Sequence, residues 1–197
     1  NHSSAASDVY KRQGFDCNGN AIQNWVHFGP TDYNNAFYNG LGFGYGDGDG
    51  FAYHSFTAID VIAHEFTHGI TDHSAGLIYA YEAGALNESF SDIFGAVIEY
   101  QKHHSESAWQ DGDHWEIGER VTINGEGLAG IGLRSLRNPN ALASPDTYEG
   151  YNWQHQINCF ANPFNDFCGI HKNSGVQNYW FYLLSEGGNG TNDNNFD

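Results

Sequence analysis

The segment IDVIAHEFTHGITD, residues 59–72, contains two histidines four positions apart and a glutamate directly after the first. Side chains at positions i and i+4 of a helix lie about one turn apart on the same face, so His64 and His68 can share one metal ion. Glu65 cannot reach that ion in the same way, but its carboxylate can reach a water molecule beside it. The pattern is typical of zinc-dependent hydrolysis. Since the chain holds 11 histidines, two solvent-facing histidines are the alternative interpretation.

A catalytic zinc ion requires a third protein ligand and one open position. The segment GALNESFSD offers Glu88, twenty residues after His68, on a second predicted helix. Asp92 lies one turn further along the same face, where its carboxylate can accept the free ring N–H of a ligand histidine and fix the orientation of that ring. A solvated helix face is the alternative, but apolar residues flank both carboxylates in a helix that must pack.

The elements that must position these residues follow from hydrophobic periodicity. Apolar positions at helical spacing predict helices over residues 56–73, 83–103 and 173–186. The earlier segments IQNWVHF and NAFYNGLGFGYG are rich in aromatic residues, Gly and Asn, which predicts strands and hairpin turns. Residues 104–170 are predicted to be irregular, apart from a short helix near LRSLRNP. The run GFGYGDGDG lacks both a βαβ context and the closing glutamate of a calcium loop, so we interpret it as a glycine-rich turn.

Composition limits the partners of the protein. The balance of 24 acidic against 7 basic residues gives a formal charge of −17. Such a surface repels phosphate backbones and anionic lipids, which argues against nucleic-acid and membrane partners and suits a secreted or cation-binding protein. No apolar run reaches the roughly 18–20 residues that span a bilayer. The chain contains no methionine, and residues 1–13 lack periodicity, so we interpret this segment as a linker or non-native sequence and the chain as processed or incomplete.

Three cysteines leave one without a pairing partner in the sequence. Cys159 and Cys168 close a short loop, CFANPFNDFC, that suits a disulfide in an oxidising compartment. Two free thiols are the alternative. In the disulfide interpretation, Cys17 is the remaining cysteine.

The ungapped segment AHEFTHGITDHSAGLIYAYEAGALNESFSDIFGAVIEY resembles the core of the thermolysin family of zinc endopeptidases. YNNAFYNGLGFGYGDGDG resembles the family's substrate-binding edge strand and hairpin, and LRS at 133–135 and NDFCGIHKNSGV at 165–176 resemble its later active-site segments. The resemblance covers about residues 20–188. It implies an α+β fold with a β-rich N-terminal lobe, a central zinc-binding helix, the start of an α-helical C-terminal lobe, and a cleft between them. We therefore predict a β-rich lobe with its helix over 14–80 and a partial helical lobe over 81–197.

The resemblance implies that His64, His68 and Glu88 hold one zinc ion, while Asp92 orients a ligand histidine. It implies that Glu65 is a general base that takes a proton from the attacking water and passes it to the leaving amine, without a covalent intermediate. The implied activity is that of a secreted neutral metalloendopeptidase acting on peptide or protein substrates.

Two oxyanion donors are implied by the same resemblance: Tyr79 in GLIY and His171 in GIHKNSG. Asp166, five residues before His171, would orient that imidazole and favour its charged form. Taken alone, Tyr79 would be an ordinary half-buried aromatic residue and His171 a surface histidine.

Substrate contacts are implied on both sides of the cleft. Arg134 matches the arginine that binds a substrate carbonyl, and its fork can also pair with Glu88 or a neighbouring acid. Asn35 and Ala36 match the edge-strand positions that bind the substrate backbone by strand addition. The apolar residues that resemble the lining of the pocket for the residue after the cut are Val61, Ile117, Val121 and Leu133. A bulky hydrophobic residue is therefore expected there.

A calcium site is expected at one end of the predicted helix pair. Asp60 lies one turn before His64 and Glu99 lies three turns after Glu88, so their carboxylates can meet. The segment DGDHWEIGE adds three acids: Asp113, Glu116 and Glu119. Converging oxygen ligands suit calcium, and the resemblance implies at least one ion there. The spacing within DGDHWEIGE departs from the family by one residue, and Arg120 stands where another acid is common, so one ion is expected rather than two.

Two rival hypotheses remain open. One is a non-catalytic zinc- and calcium-binding fragment, because family members carry a further β-rich segment before residue 14 and a helical bundle after residue 188. The other is a metal-dependent hydrolase of non-peptide amides, which should lack the strand-addition edge near Asn35. The principal expectation is a monomeric secreted enzyme, with a propeptide in its precursor.

Overall fold

The computed structural model describes residues 14–104, 113–123, 131–190 and 192–194, so the predicted linker over 1–13 lies outside the described residues. In that part of the chain the strands are β1 (Asn24–Trp25), β2 (Ala36–Tyr38), β3 (Phe43–Tyr45), β4 (Glu116–Ile117) and β5 (Arg134–Ser135). The α-helices are α1 (Ile59–Asp72), α2 (Tyr81–His103), α3 (Asp166–Asn173) and α4 (Gly175–Glu186). Short 3₁₀ turns occupy Asp113–Trp115, Pro139–Leu142 and Pro163–Asn165.

The N-terminal sheet has the strand order β1-β3-β2, which makes β2 an edge strand. Strands β2 and β3 form the predicted antiparallel hairpin, with Ala36 opposite Tyr45, and β1 runs parallel to β3. The glycine-rich run after β3 is a turn, as predicted. The carboxylate of Asp49 holds this turn by accepting hydrogen bonds from the backbone N–H groups of residues 51–53.

Helices α1 and α2 lie close to their predicted positions and pack against each other. The apolar face of α1 carries Val61 and Phe66 and lies against a core that includes Phe43 and Phe56. A Cβ atom on Gly95 of α2 would stand 2.8 Å from the backbone oxygen of Asp60. Glycine is therefore required at this contact between the two helices, and their packing places polar residues of α2 beside the histidines of α1.

The short helix predicted near LRSLRNP is present only as a 3₁₀ turn that begins at Pro139, the last residue of that segment. Arg134 and Ser135 form β5, which pairs in antiparallel orientation with β4. The N–H groups of Leu133 and Leu136 donate to the carbonyls of Ile117 (2.6 Å) and Trp115 (2.7 Å). The N–H groups on either side of β5 are thus satisfied by residues 115–117 and not by a helical turn.

The segment before α4 was predicted to be irregular, yet it contains α3. Within α3, Phe167, Cys168 and Gly169 adopt left-handed backbone conformations, so the helix is interrupted over its first turn. The side chain of Asn165 accepts a hydrogen bond from the N–H of Cys168. A disulfide joins Cys159 to Cys168, which confirms that prediction, while Cys17 is reduced and exposed.

One face of α2 remains open to solvent although it is apolar. Its members lie four residues apart and are between 39% and 50% exposed: Leu86, Phe90, Phe94 and Ile98. No helix in the described part of the chain is both long enough and apolar enough to cross a membrane. Small sheets and separate helices make the architecture α+β, as predicted.

Candidate metal centre

Three potential ligands converge at the contact between α1 and α2. The Nε2 atoms of His64 and His68 lie 2.9 Å apart. The carboxylate of Glu88 places one oxygen 3.4 Å from the Nε2 of His64 and the other 3.3 Å from the Nε2 of His68. All three residues are buried. They are the residues that the sequence predicted as zinc ligands.

The donor set fits a zinc ion. Two imidazole nitrogens and a carboxylate are a common ligand set of catalytic zinc. The Oε2 atom of Glu88 is buried and accepts no hydrogen bond from the described residues, although an isolated buried carboxylate oxygen is unfavourable. A divalent cation between this oxygen and the two ring nitrogens would give the buried oxygen a partner and neutralise its charge.

Asp92 fixes the ring of His64. Its Oδ1 lies 2.9 Å from the Nδ1 of His64, so Nε2 is turned toward the metal position. Arg134 donates two hydrogen bonds of 2.6 and 2.7 Å to the same carboxylate. Burial alone would raise the pKa of Asp92, but the guanidinium of Arg134 and the hydrogen bond to His64 hold it well below its usual range. Asp92 therefore remains a hydrogen-bond acceptor. Asn178 of α4 completes this group by donating to Oδ2 at 2.8 Å.

His68 is oriented by residues that the sequence reasoning missed. Its Nδ1 lies 2.8 Å from the side-chain oxygen of Asn87 and 3.1 Å from the hydroxyl of Ser91. The available signal was the spacing: Asn87 and Ser91 are four residues apart on α2, directly before the Glu88 and Asp92 pair. Asn178 offered no comparable local signal, because its contact with Asp92 spans 86 residues.

Glu65 is buried and lines the same cleft as the two histidines. Burial raises the pKa of its carboxyl group, while the neighbouring histidines oppose that shift. A raised pKa increases the proton affinity of Glu65, which suits a group that must accept and return a proton.

Tyr79 and His171 lie together on the opposite side of Glu88 from Arg134. The hydroxyl of Tyr79 donates to the Oε1 of Glu88 and lies 3.3 Å from the Nε2 of His171. The Nδ1 of His171 is hydrogen-bonded to Asp166, as the sequence predicted. Burial lowers the pKa of His171, but the charge of Glu88 and the hydrogen bond with Asp166 raise it overall. The charged form, which can donate from both nitrogens, is thereby favoured.

A cleft of about 720 Å³ runs over this centre. Asn35 and Ala36 line it from the edge strand β2, and Arg134 lines it from β5. Three of the predicted pocket residues, Val61, Ile117 and Leu133, also line it. Val121 is not among them: it is fully buried in the core with Phe43 and Phe56, so its predicted place in the pocket is corrected.

The predicted calcium residues are only partly brought together. Asp60, Glu99 and Glu119 are buried, with one oxygen from each lying within 4.8 Å of the others. The Oδ1 of Asp60 accepts no hydrogen bond from the described residues, whereas its Oδ2 accepts the N–H of Gly118 at 2.6 Å. Arg120 approaches this group, with its Nε 3.5 Å from Glu99 and 3.3 Å from Glu119.

Glu116 does not join this acidic group, so its prediction as a calcium ligand is corrected. Its carboxylate accepts hydrogen bonds from the hydroxyl of Ser135 at 2.9 Å and from the Nε of Arg137 at 2.8 Å. Pairing of β4 with β5 carries it toward those partners. The side chain of Asp113 lies outside the described residues, and its predicted role stays a prediction.

The chain is similar in sequence to known metallopeptidases. Residues 6–72 match the thermolysin metallopeptidase catalytic domain, and residues 75–196 match the thermolysin metallopeptidase alpha-helical domain. Bacillolysin from Brevibacillus brevis is 42% identical over 182 residues, which cover 92% of this chain and 30% of bacillolysin. An extracellular metalloprotease from Pectobacterium carotovorum subsp. carotovorum is 42% identical over 179 residues, or 90% of this chain and 50% of that protein.

A solved structure shows the same fold. The precursor of protealysin, a metalloproteinase from Serratia proteamaculans, aligns with a TM-score of 0.66 and 33% identity over 92% of this chain and 55% of its own. The chain thus spans about half or less of the length of these relatives. The two family matches follow one another along nearly the whole sequence and meet between the histidine helix and the helix of Glu88, and the chain therefore belongs to the thermolysin family of metallopeptidases.

Proposed function

We propose that this chain carries the active site of a secreted neutral zinc metalloendopeptidase that cleaves peptide bonds before bulky hydrophobic residues. The observation that carries the proposal is the buried convergence of His64, His68 and Glu88 in a cleft that also holds Glu65. Family membership supports the same reaction class, because the relatives are named as metalloproteases.

Proton transfer is assigned to Glu65. A zinc ion in this site would act as a Lewis acid that polarises the scissile carbonyl and activates the attacking water. Glu65 takes the proton of that water and returns it to the leaving amine, which requires a carboxyl group that both accepts and releases a proton. Its burial and raised pKa support that role.

The developing oxyanion is assigned to Tyr79 and His171. Charged His171 can donate from Nε2, and Asp166 holds the ring by its Nδ1. The hydroxyl of Tyr79 donates to Glu88, so it must turn toward a substrate carbonyl to act as a donor to the oxyanion. Hydrogen-bond donors lower the reaction barrier only if they bind the transition state more strongly than the ground state. Donors placed where the negative charge of the oxyanion develops meet this condition.

Substrate binding is assigned to the edge of β2 and to Arg134. The carbonyl of Asn35 accepts the N–H of Gly46, so the backbone of Asn35 faces β3. Hydrogen-bonding directions alternate along an antiparallel strand, and the backbone of Ala36 therefore points to the free edge, where an extended peptide can pair. The side chain of Asn35 lines the cleft beside it. Arg134 uses Nε and Nη2 on Asp92, and its remaining donors can bind a substrate carbonyl.

Specificity is assigned to the apolar pocket beside Arg134. Val61 lies on α1 one turn before His64, and Ile117 pairs with Arg134 across the β4–β5 ladder. Together with Leu133 they offer apolar surface to the residue that follows the cut. Burial of a large side chain there favours binding by roughly 1.5–3 kcal/mol over an exposed one.

We also assign a structural calcium ion to Asp60, Glu99 and Glu119. Three carboxylates buried together repel one another, the single charge of Arg120 offsets only part of that repulsion, and hard oxygen ligands suit calcium. Secretion is supported by the disulfide, by the acidic surface and by the relative named as extracellular. A propeptide in the precursor of the protein completes the proposal.

Hydrolysis of a hydrophobic dipeptide amide by the zinc-loaded protein, with and without a zinc chelator, tests the proposal. Activity should disappear with the chelator and with Glu65→Gln, but not with the exposed control Glu186→Gln. If the folded, zinc-loaded protein is inactive, the non-catalytic alternative holds for this chain. Full activity of Glu65→Gln would refute the role of that carboxylate.

A further inference from the structure

Phe167 is an aromatic residue of the cleft that is not needed to bind metal or transfer protons. Its side chain is half-buried and lines the cleft. Its ring meets that of Tyr79 in a T-shaped contact, with centroids 5.6 Å apart and planes at 62°. An edge contact of this kind leaves aromatic surface for a further apolar group.

The backbone holds Phe167 in an unfavourable conformation at this place. Its φ of 44° and ψ of 39° lie in the left-handed region, which a bulky residue seldom adopts. Two contacts hold it there: its N–H donates to the carbonyl of Asn162 at 2.9 Å, and the next residue, Cys168, is disulfide-bonded to Cys159. Strained residues that neighbouring bonds hold in place occur preferentially in ligand-binding sites.

The carboxylate of Glu88 divides the centre into two sides. Its Oε2 faces His64 and lies 3.8 Å from Arg134, the side on which the apolar pocket lies. Its Oε1 faces Tyr79 and lies 3.3 Å from His171, the side on which Phe167 lies. A peptide that places the residue after the cut beside Arg134 must place the residue before the cut against the opposite side.

We infer that Phe167 forms a second apolar subsite, which binds the residue on the amino side of the scissile bond and favours an aromatic side chain there. This inference rests on the proposed function, because it assumes a peptide lying in the cleft in that direction. A benzyl group would bury its surface against the ring of Phe167, whereas a methyl group would leave that ring in contact with water.

Two substrates that differ only at this position test the inference. They are N-acyl-Phe-Leu-amide and N-acyl-Ala-Leu-amide, which share leucine after the cut. The zinc-loaded protein is expected to prefer the first in kcat/KM by about tenfold or more. Phe167→Ala should reduce that ratio to about threefold or less, and Phe167→Leu should give an intermediate ratio.

The matched control is Phe164→Ala, which removes a fully exposed phenylalanine from the same disulfide loop and should keep the wild-type ratio. If Phe167→Ala lowers both rates equally and leaves the ratio unchanged, the ring only positions Tyr79 and the inference is overturned. A wild-type protein that cleaves both substrates equally overturns it as well.

A binding measurement tests this inference independently of the proposed reaction. Calorimetry with zinc-loaded Glu65→Gln measures the affinity for both peptides without turnover. Tighter binding of the phenylalanine peptide, lost on adding Phe167→Ala, supports the subsite even if the wild-type protein cleaves neither peptide, an outcome that refutes only the proposed reaction. Equal affinities overturn the subsite even if the protein proves to be an active peptidase.

Discussion

Residues of the metal centre have two roles: three of them offer ligand atoms to the metal position, and others orient those ligands. His64, His68 and Glu88 present atoms to the metal position, and their spacing follows from helix geometry. Asp92 and Asn87 hold the far sides of the histidine rings and thereby set which nitrogen faces the metal. Zinc affinity should therefore depend on residues that do not touch the ion.

Asp92→Asn is expected to weaken zinc binding by about 10–100-fold, because the amide removes the charge that orients His64 and compensates Arg134. Competition with a chromophoric chelator measures the dissociation constant. Asp32→Asn, at an exposed position, controls for the loss of one acidic charge and should bind zinc normally. An unchanged dissociation constant in Asp92→Asn would show that an amide oxygen orients the ring of His64 as well as the carboxylate does.

Much of the centre could be predicted at this scale because it is local. The zinc ligands and Asp92 lie on two helices at i and i+4 spacing, and the family resemblance supplied Tyr79, Asp166 and His171. The hydrogen bonds between Arg134 and Asp92 span 42 residues, so the sequence could offer a neighbouring acid as partner without identifying which one. The place of Glu116 beside Arg137 likewise depends on the β4–β5 register, which no local pattern determines.

At the scale of elements, α4 supports the centre from outside the cleft. Asn178 is fully buried between α4 and α2, where its amide donates to Asp92 and its oxygen accepts from Ser89 at 2.7 Å. One side chain thus satisfies two buried polar groups on α2. A substitution that removes such a cross-link should therefore destabilise the protein more than the hydrophobic periodicity of α4 suggests.

Asn178→Leu is expected to lower the free energy of unfolding by about 2–4 kcal/mol, since two buried partners lose their hydrogen bonds while the side-chain volume is nearly kept. Denaturant titration of the metal-free and zinc-loaded protein measures the change. Gln101→Leu, on the exposed surface of α2, is the control and should change stability little. Equal stabilities of Asn178→Leu and the parent would mean that water replaces both hydrogen bonds.

Arg120 belongs to the same scale, because it links Glu99 of α2 to Glu119 in the loop after β4, where the calcium site is proposed. Its guanidinium supplies a positive charge to Glu99 and Glu119 and thus competes with a calcium ion for these two carboxylates. Arg120→Gln should tighten calcium binding and lower the melting temperature of the calcium-free protein. The stability change should stay below about 1 kcal/mol, because Arg120 is partly exposed and its charge is screened.

Calorimetric titration with calcium and thermal melts in its presence and absence check both effects. Arg137→Gln is the matched control, since Arg137 pairs with Glu116 outside the acidic group. Calcium affinity that falls in Arg120→Gln would contradict the competition.

Element positions were predicted well where periodicity is strong and poorly where pairing is distant. The predicted helices at 56–73 and 83–103 correspond to α1 and α2, because apolar residues recur at helical spacing in both, although the stripe of α2 that holds Phe90 and Phe94 stays exposed. Arg134 and Ser135 form a strand because the segment pairs with residues 115–117, which are distant in the sequence. Residue propensities also fail to predict the left-handed backbone in α3, because the disulfide and the hydrogen bond to Asn162 impose that conformation.

At the scale of the whole molecule, an apolar stripe of α2 lies exposed to solvent. Leu86, Phe90, Phe94 and Ile98 form one stripe along α2. Apolar patches of this kind promote association or dye binding in isolated chains. The chain of 197 residues is therefore expected to bind a hydrophobic dye and to self-associate, despite its formal charge of −17.

Phe94→Glu should reduce both effects by placing a charge within the stripe. Dye fluorescence and sedimentation velocity measure them. Phe51→Glu is the control, because Phe51 is exposed outside α2 and its substitution should change neither. A chain that stays monomeric and binds no dye would instead agree with the monomer predicted from the sequence.

The contact between Asn178 and Asp92 also links two equilibria. The carboxylate of Asp92 orients His64 toward the metal position and accepts a hydrogen bond from Asn178 of α4. Zinc binding and the docking of α4 therefore both depend on this carboxylate. Linkage is reciprocal: if a docked α4 favours zinc binding, bound zinc must favour the docked α4 to the same extent. Hydrogen exchange in residues 175–186 should therefore slow when zinc binds, so a helix that touches no ligand would report whether the metal is present.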